Sequence, residues 1–139
     1  MEADFTLKPV GVIHSPYKVS GEAPRQGRSR ETVSEIEVFP EFAEALEGLE
    51  SYRYLIILYW MHKSLRGSLK ARPPGQLRER GVFATRSPHR PNPIGLCLVE
   101  LLSVEGGRLK VRWLDALDGS PLLDIKPYID EVDSPPKGG

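Results

Sequence analysis

Short stretches of this chain alternate apolar with polar residues, and that period of two predicts strands. Residues 35–39 interleave acids with Ile36 and Val38. Residues 108–114 set Arg108, Lys110 and Arg112 against Leu109, Val111 and Trp113, so both segments read as half-buried strands. Residues 11–15 form a first strand that Pro16 ends, and residues 122–125 a final short one. The run from Tyr54 to Met61 is apolar at nearly every position, which predicts a central strand buried on both sides. Further strands are expected at 81–85 and 94–104, the latter joined to 108–114 by the tight turn Glu105-Gly106-Gly107. One helix is expected from Pro40 to about Leu49: Phe42, Ala45, Leu46 and Leu49 share a face, proline suits the start and Gly48 the end. Residues 65–80, with RPPG inside, read as a long mobile loop, residues 24–30 as an exposed polar one, and the chain after Asp130 as irregular. The fold class is mainly β, with about six or seven strands and one short helix, and a sheet curled on itself removes exposed edges. No Gly-x-Gly-x-x-Gly follows a strand, so a doubly wound nucleotide-binding sheet is not supported.

The stretch PHRPNP at 88–93 holds three prolines between two apolar runs. Proline fixes φ and removes a donor, which excludes helix interior and central strand. The loop is stiff, so Arg86, His89, Arg90 and Asn92 are presented from a rigid frame with little ordering entropy left to lose on binding. Arg90 and Asn92 are also candidates to brace the loop, Asn92 by satisfying backbone groups beside Pro91 and Pro93. A second segment, LDALDGSPLLDIKPYI at 114–129, gathers Asp115, Asp118 and Asp124 around a DGSP turn. Two such loops in one small chain mark a site.

At 139 residues the chain is expected to be one domain over 1–139, with an ordered core at about 5–130 and a tail at 131–139. Cys97 is the single cysteine, so no internal disulfide forms, and no Cys/His spacing suggests a metal; the expectation is no metal and a cytoplasmic location. The apolar run at 54–61 is far too short to cross a bilayer, and no leader pattern is present, so no membrane role is expected. Net charge is zero, which argues against general nucleic-acid affinity, yet the charge is unevenly spread. Arg66, Lys70, Arg72, Arg78, Arg80 and Arg90 crowd a stretch where Glu79 is the only acid, and they are the candidate contacts to RNA phosphates. Arg108, Lys110 and Arg112 read instead as an ordinary solvated strand face.

The segments GVIHSPY at 11–17, PRQ at 24–26, LIILYWMHK at 55–63, TRSPHRPNPIGL at 85–96 and DGSPLLDIKPY at 118–128 together resemble the TsaA/TrmO family, S-adenosylmethionine-dependent methyltransferases of tRNA threonylcarbamoyladenosine. The match spans nearly the whole chain. Cys97 stands where serine is common, Ser120 where threonine is common and Lys63 where glutamine is frequent, and many bacterial members continue into a C-terminal extension beyond the equivalent of Gly139. The resemblance implies a mixed-sheet β-barrel and a homodimer whose interface helps form the site. It implies cofactor contacts at Pro24, Arg25, Gln26, His62, Lys63, Arg86, Leu96, Leu117, Asp118, Gly119 and Ser120. The acceptor it implies is the exocyclic nitrogen of threonylcarbamoyladenosine in the tRNA anticodon loop.

S-adenosylmethionine offers a neutral adenine, a ribose diol, a cationic sulfonium and a zwitterionic amino acid end. Arg25, Lys63 and Arg86 are candidates for its carboxylate, arginine favoured for a bidentate grip. Asp118 or Asp115 would face the sulfonium or the amine, and backbone groups at Leu96 and around 117–120 the adenine edge. Methyl transfer needs positioning and desolvation above all. A base helps because acylation leaves the acceptor nitrogen weakly nucleophilic, and Asp118 and His62 are the candidates. Tyr17, Tyr59 and Trp60 read as core or interface before they read as stacking surfaces. Two other functions fit the residues: a non-catalytic or partner-dependent S-adenosylmethionine-binding module, and an RNA-binding β-barrel without cofactor.

Overall fold

Six strands close a barrel in the computed structural model of this chain, which describes residues 5–19 and 31–137. The strands are β1 (Gly11–His14), β2 (Val33–Val38), β3 (Tyr54–Trp60), β4 (Lys70–Ala71), β5 (Arg80–Gly81), β6 (Ile94–Glu105), β7 (Arg108–Arg112) and β8 (Pro121–Pro127). The barrel order is β1-β2-β7-β6-β3-β8, while β4 and β5 pair apart from it. Each ladder is antiparallel, so the barrel is not the mixed sheet expected. A parallel neighbour needs a long crossover, usually helical, and the described residues contain no such helix.

The interior is filled by alternate residues of the barrel strands. Ile13, Ile36, Leu55, Ile57, Val99 and Leu109 are fully buried there, each contributing roughly 1.5–3 kcal/mol relative to exposure. β3 was expected to be buried on both sides; instead Leu55, Ile57 and Tyr59 point inward and Ile56, Leu58 and Trp60 are half-buried outside. The outer face of a single-layer barrel has no second sheet to cover it.

Three other expectations change. The segment after Pro40 is a 3-10 helix over Pro40–Leu46, followed by a second at Leu49–Ser51. Of the apolar face read there, Phe42, Leu46 and Leu49 pack against the core, while Ala45 is exposed. Seven residues leave few α-helical bonds to form, and no basic residue in the last turn offsets Glu44 there. The strand expected at 81–85 is only the end of β5: Val82–Ala84 is a 3-10 turn, closed by Thr85 N–H and Thr85 Oγ donating to the Val82 carbonyl. Within the expected loop at 65–80, Lys70 and Ala71 pair with Gly81 and Arg80, and after Ile129 a short helix forms at Asp130–Asp133.

The barrel carries the site on one end. Trp60, closing β3, pairs with Ile94, opening β6, and Tyr59 pairs with Leu122 of β8 across a register shift between Leu58 and Tyr59. The proline loop before β6 and the segment between β7 and β8 therefore meet at the end of β3.

Candidate functional site

Both unusual loops open onto one cavity of about 1170 Å³. Drug-sized ligands typically occupy about 300–1,000 Å³, so the space suits a nucleoside cofactor with a second reactant beside it. Of the expected cofactor contacts, His62, Lys63, Arg86, Leu96, Leu117 and Ser120 line it. Leu96, which a core role would bury, is 49% exposed. Pro24, Arg25 and Gln26 lie outside the described residues.

The proline loop is braced from within and from below. Arg90 donates to the carbonyls of Thr85 and Ser87 at 3.0 and 3.1 Å. Arg66 donates to the Pro91 carbonyl at 2.8 Å and to Asn92 Oδ1 at 2.9 Å, and its guanidinium lies 5.2 Å from the centre of the Trp60 ring. His89 Nδ1 accepts the Leu65 amide at 3.0 Å. Arg90 thus braces the loop as read from the sequence, whereas the Asn92 side chain meets the Arg66 guanidinium and not the backbone groups beside Pro91 and Pro93. Two of the expected phosphate contacts, Arg66 and Arg90, hold the loop in shape, Arg72 and Arg90 line the cavity, and Lys70, Arg78 and Arg80 are exposed. Across the barrel, Arg108 pairs with Glu35 at 3.0 Å on the solvated strand face expected, whereas Arg112 departs from it: besides Glu31 at 2.7 Å, its Nε lies 3.0 Å from Oε1 of the buried Glu100.

The second corner is built by a backbone conformation rare for its residue. Trp113 adopts φ 80°, a left-handed geometry that costs about 1–3 kcal/mol outside glycine, and its ring stacks on Tyr54 with centroids 5.9 Å apart. The reversal ends β7 at Arg112, returns Leu114 and Ala116 to the core and brings Asp115 to the cavity. The turn that follows is tied to β1: the amides of Asp118 and Gly119 donate to the carbonyls of Tyr17 and Ile13, and Ser120 N–H and Oγ both donate to Leu117 O. Those amides are committed, and so are the carbonyls of Leu117, which takes both bonds from Ser120, and of Ser120, which accepts the Ile13 amide. Gly119 has φ 83°, and a side chain there would come within 4.0 Å of His62 Nε2, which shows how closely the turn approaches the end of β3.

The two aspartates differ sharply. Asp118 lies in a separate shallow groove with His14, Ser15 and Lys18. Its Oδ2 accepts from Lys18 Nζ and its Oδ1 from the Ser15 amide, both at 2.9 Å, and these contacts hold its carboxyl below the usual range. A carboxylate so stabilised is a weak proton acceptor. Asp115 lines the cavity, where burial raises its carboxyl against hydrogen bonds from Tyr59 and Cys97 and the charge of Arg86. Tyr59 O–H donates to Asp115 Oδ1 at 2.6 Å, and its own proton is held more tightly by burial and by that carboxylate. His62 is pushed toward its neutral form by burial and by Lys63, whose Nζ donates to the Lys18 carbonyl at 3.0 Å.

The Tyr59–Asp115 pair escaped the sequence reading. Tyr59 is 5% exposed, so core was the right description, but its hydroxyl end reaches the cavity. The available signal was a tyrosine inside an otherwise apolar strand, since a buried phenol needs a partner. Tyr17 is likewise buried and donates to Thr32 Oγ1 at 2.9 Å, while Trp60 is covered by Arg66. Among the described residues no three His, Cys, Asp or Glu side chains are grouped to hold a metal ion, and no helix is long and apolar enough to cross a membrane.

The family model for the tRNA-methyltransferase O N-terminal domain matches residues 12–134. A protein of Archaeoglobus fulgidus called "S-adenosyl-L-methionine-binding protein" is 61% identical over 127 residues, 91% of each chain. The Escherichia coli "tRNA (adenine(37)-N6)-methyltransferase" is 41% identical over 145 residues, 96% of this chain and 62% of that one. The crystal structure of TrmO from Pseudomonas aeruginosa superposes with a TM-score of 0.82 at 35% identity, covering 99% of this chain and 61% of that chain. The chain therefore spans about three fifths of those two methyltransferases.

Proposed function

The chain belongs to the family of tRNA-methyltransferase O N-terminal domains, and from that premise we propose that it is an S-adenosylmethionine-dependent tRNA methyltransferase. Its acceptor is the exocyclic nitrogen of threonylcarbamoyladenosine in the anticodon loop. The observation that carries this reading is the convergence of Arg86, from the proline loop, with Leu117 and Ser120, from the later turn, on one cavity beside His62 and Lys63. The cavity fits the cofactor's chemistry: cations for a carboxylate, one acid for a positive charge, and apolar walls at Met61 and Leu96 for an adenosine.

When bound, the cofactor supplies a methyl group already activated by positive sulfur. Arg86 and Lys63 would hold its carboxylate end, and Leu117 and Ser120 of the later turn would border its adenosine. His62, kept neutral by burial and by Lys63, takes the proton that the acceptor nitrogen releases. Asp118, tied to Lys18 and Ser15, positions the turn and is not the base. Lys70, Arg72, Arg78 and Arg80 meet RNA phosphates around the cavity mouth, and an unpaired anticodon-loop base is cheap to splay out.

The working form in this reading is a cytoplasmic homodimer. Phe83, 86% exposed, stands with Ile94 and Leu96 on the cavity wall as an apolar surface that a second copy would cover. A second reading, a cofactor-binding module without turnover, takes support from the name of the Archaeoglobus relative, which is similar to this chain over 91% of each. The test is incubation with threonylcarbamoylated tRNA and methyl-labelled cofactor, followed by mass spectrometry of the nucleosides. Label on the threonylcarbamoyladenosine nitrogen is the expected result; cofactor binding with no label transferred leaves the module reading in its place.

A further inference from the structure

Lys63, Arg72, Arg86 and Arg90 line the cavity, and against these four cations the described lining residues include a single acid, Asp115. Such a wall attracts carboxylates and phosphates and repels a positive ligand everywhere except at that acid. Asp115 is held by the barrel itself. Tyr59 donates to its Oδ1 at 2.6 Å, and the Cys97 thiol is a second hydrogen-bond partner. The Tyr59 ring in turn fills the space above Gly95, where a Cβ would lie 2.6 and 2.7 Å from Cε2 and Cε1. Among the described residues no ion pair engages Asp115, although Lys18 and Asp118 pair only a few residues further along the chain.

We infer that Asp115 recognises the sulfonium charge of S-adenosylmethionine, so that the cavity distinguishes the methyl-bearing cofactor from its demethylated thioether product. The inference rests on the reading that the cavity takes this cofactor. Burial opposes the charged form of Asp115, and a ligand cation beside it restores the balance toward ionisation. The product lacks that cation, and Asp115 then returns to a site where burial again opposes its charge. One carboxylate in a basic cavity therefore favours uptake of the charged cofactor and release of the neutral product.

The test is calorimetric titration of the whole chain with three ligands: S-adenosylmethionine, S-adenosylhomocysteine, and an analogue with a protonated amine in place of the methylsulfonium. In wild type the amine analogue binds more tightly than the thioether; equal or weaker binding overturns the inference without any variant. Asp115→Asn lowers the affinity ratio of the charged ligands to the thioether by about tenfold, near 1.4 kcal/mol, while thioether affinity changes little. Asp115→Glu, which keeps the charge, retains more of the ratio than Asn. An unchanged ratio in Asp115→Asn, or equal loss for all three ligands, overturns the inference. If none of the three binds wild type, the cofactor reading itself has failed, and the inference falls with it.

Discussion

Tyr59 and Asp115 are 56 residues apart in sequence and joined by a 2.6 Å hydrogen bond from phenol to carboxylate, which links the barrel wall to the cavity. Tyr59→Phe removes the donor and leaves a partly buried carboxylate short of a partner, a loss of about 1–3 kcal/mol. The sign with pH follows from burial: the folded-state carboxyl of Asp115 lies above its unfolded value, so its effect on stability is favourable in acid and fades as pH rises through the folded value. Losing the phenol raises the folded value further. Urea unfolding is expected to show a larger gap between variant and wild type near pH 7 than near pH 3, and equal gaps would contradict the assignment.

Gly95→Ala is expected to be far costlier than a glycine replacement in an ordinary strand. The added methyl meets the ring of Tyr59 head on, and the ring has a barrel core behind it. Overpacking of this kind costs about 1–3 kcal/mol, and the ring's displacement lengthens the bond to Asp115. The double variant Gly95→Ala with Tyr59→Leu recovers part of the stability in denaturant titration; purely additive losses would show that the two positions do not collide.

Arg66→Ala should loosen the proline loop while leaving the barrel intact. The variant loses the contacts to Pro91 O, Asn92 Oδ1 and the Trp60 ring. Amide hydrogen exchange over 85–92 is expected to quicken while β6 and β7 stay protected. Unchanged exchange in the loop would return Arg66 to the role of a solvent-facing cation.

Asp118→Asn probes the outer groove. The folded-state carboxyl lies below its unfolded value because of Lys18 and the Ser15 amide, so it contributes stability above the unfolded value that is lost as pH falls through the folded one. The variant is therefore less stable than wild type near pH 7, and the difference closes on acidification. If Asp118 were the reaction's base, turnover would collapse while stability held; the structure predicts the reverse weighting.

Much of this was legible along the chain because rigid turns leave marks. The prolines around Asn92 announced a braced loop that presents Arg86, and Asp118-Gly119-Ser120 announced a turn, while Leu117 and Ser120 entered as cofactor contacts through the family resemblance. Asp115 and Asp118 were not separable that way. Which of them enters the cavity depends on the positive φ of Trp113, a geometry that tryptophan does not advertise, and on a β1 contact from a distant part of the chain. The strand expected over 81–85 failed for a related reason: Val82 is buried by a local turn, and a short apolar run cannot distinguish that from a ladder.

Cofactor binding at the meeting of the two loops is the centre of this account, and calorimetry of the whole chain with S-adenosylmethionine, wild type against Arg86→Ala, tests it most directly. The expected result is saturable binding in wild type, weakened roughly 10- to 150-fold in the variant, the loss of a charge-assisted contact of about 1.5–3 kcal/mol. No binding to wild type, or the same dissociation constant for both proteins, would contradict it.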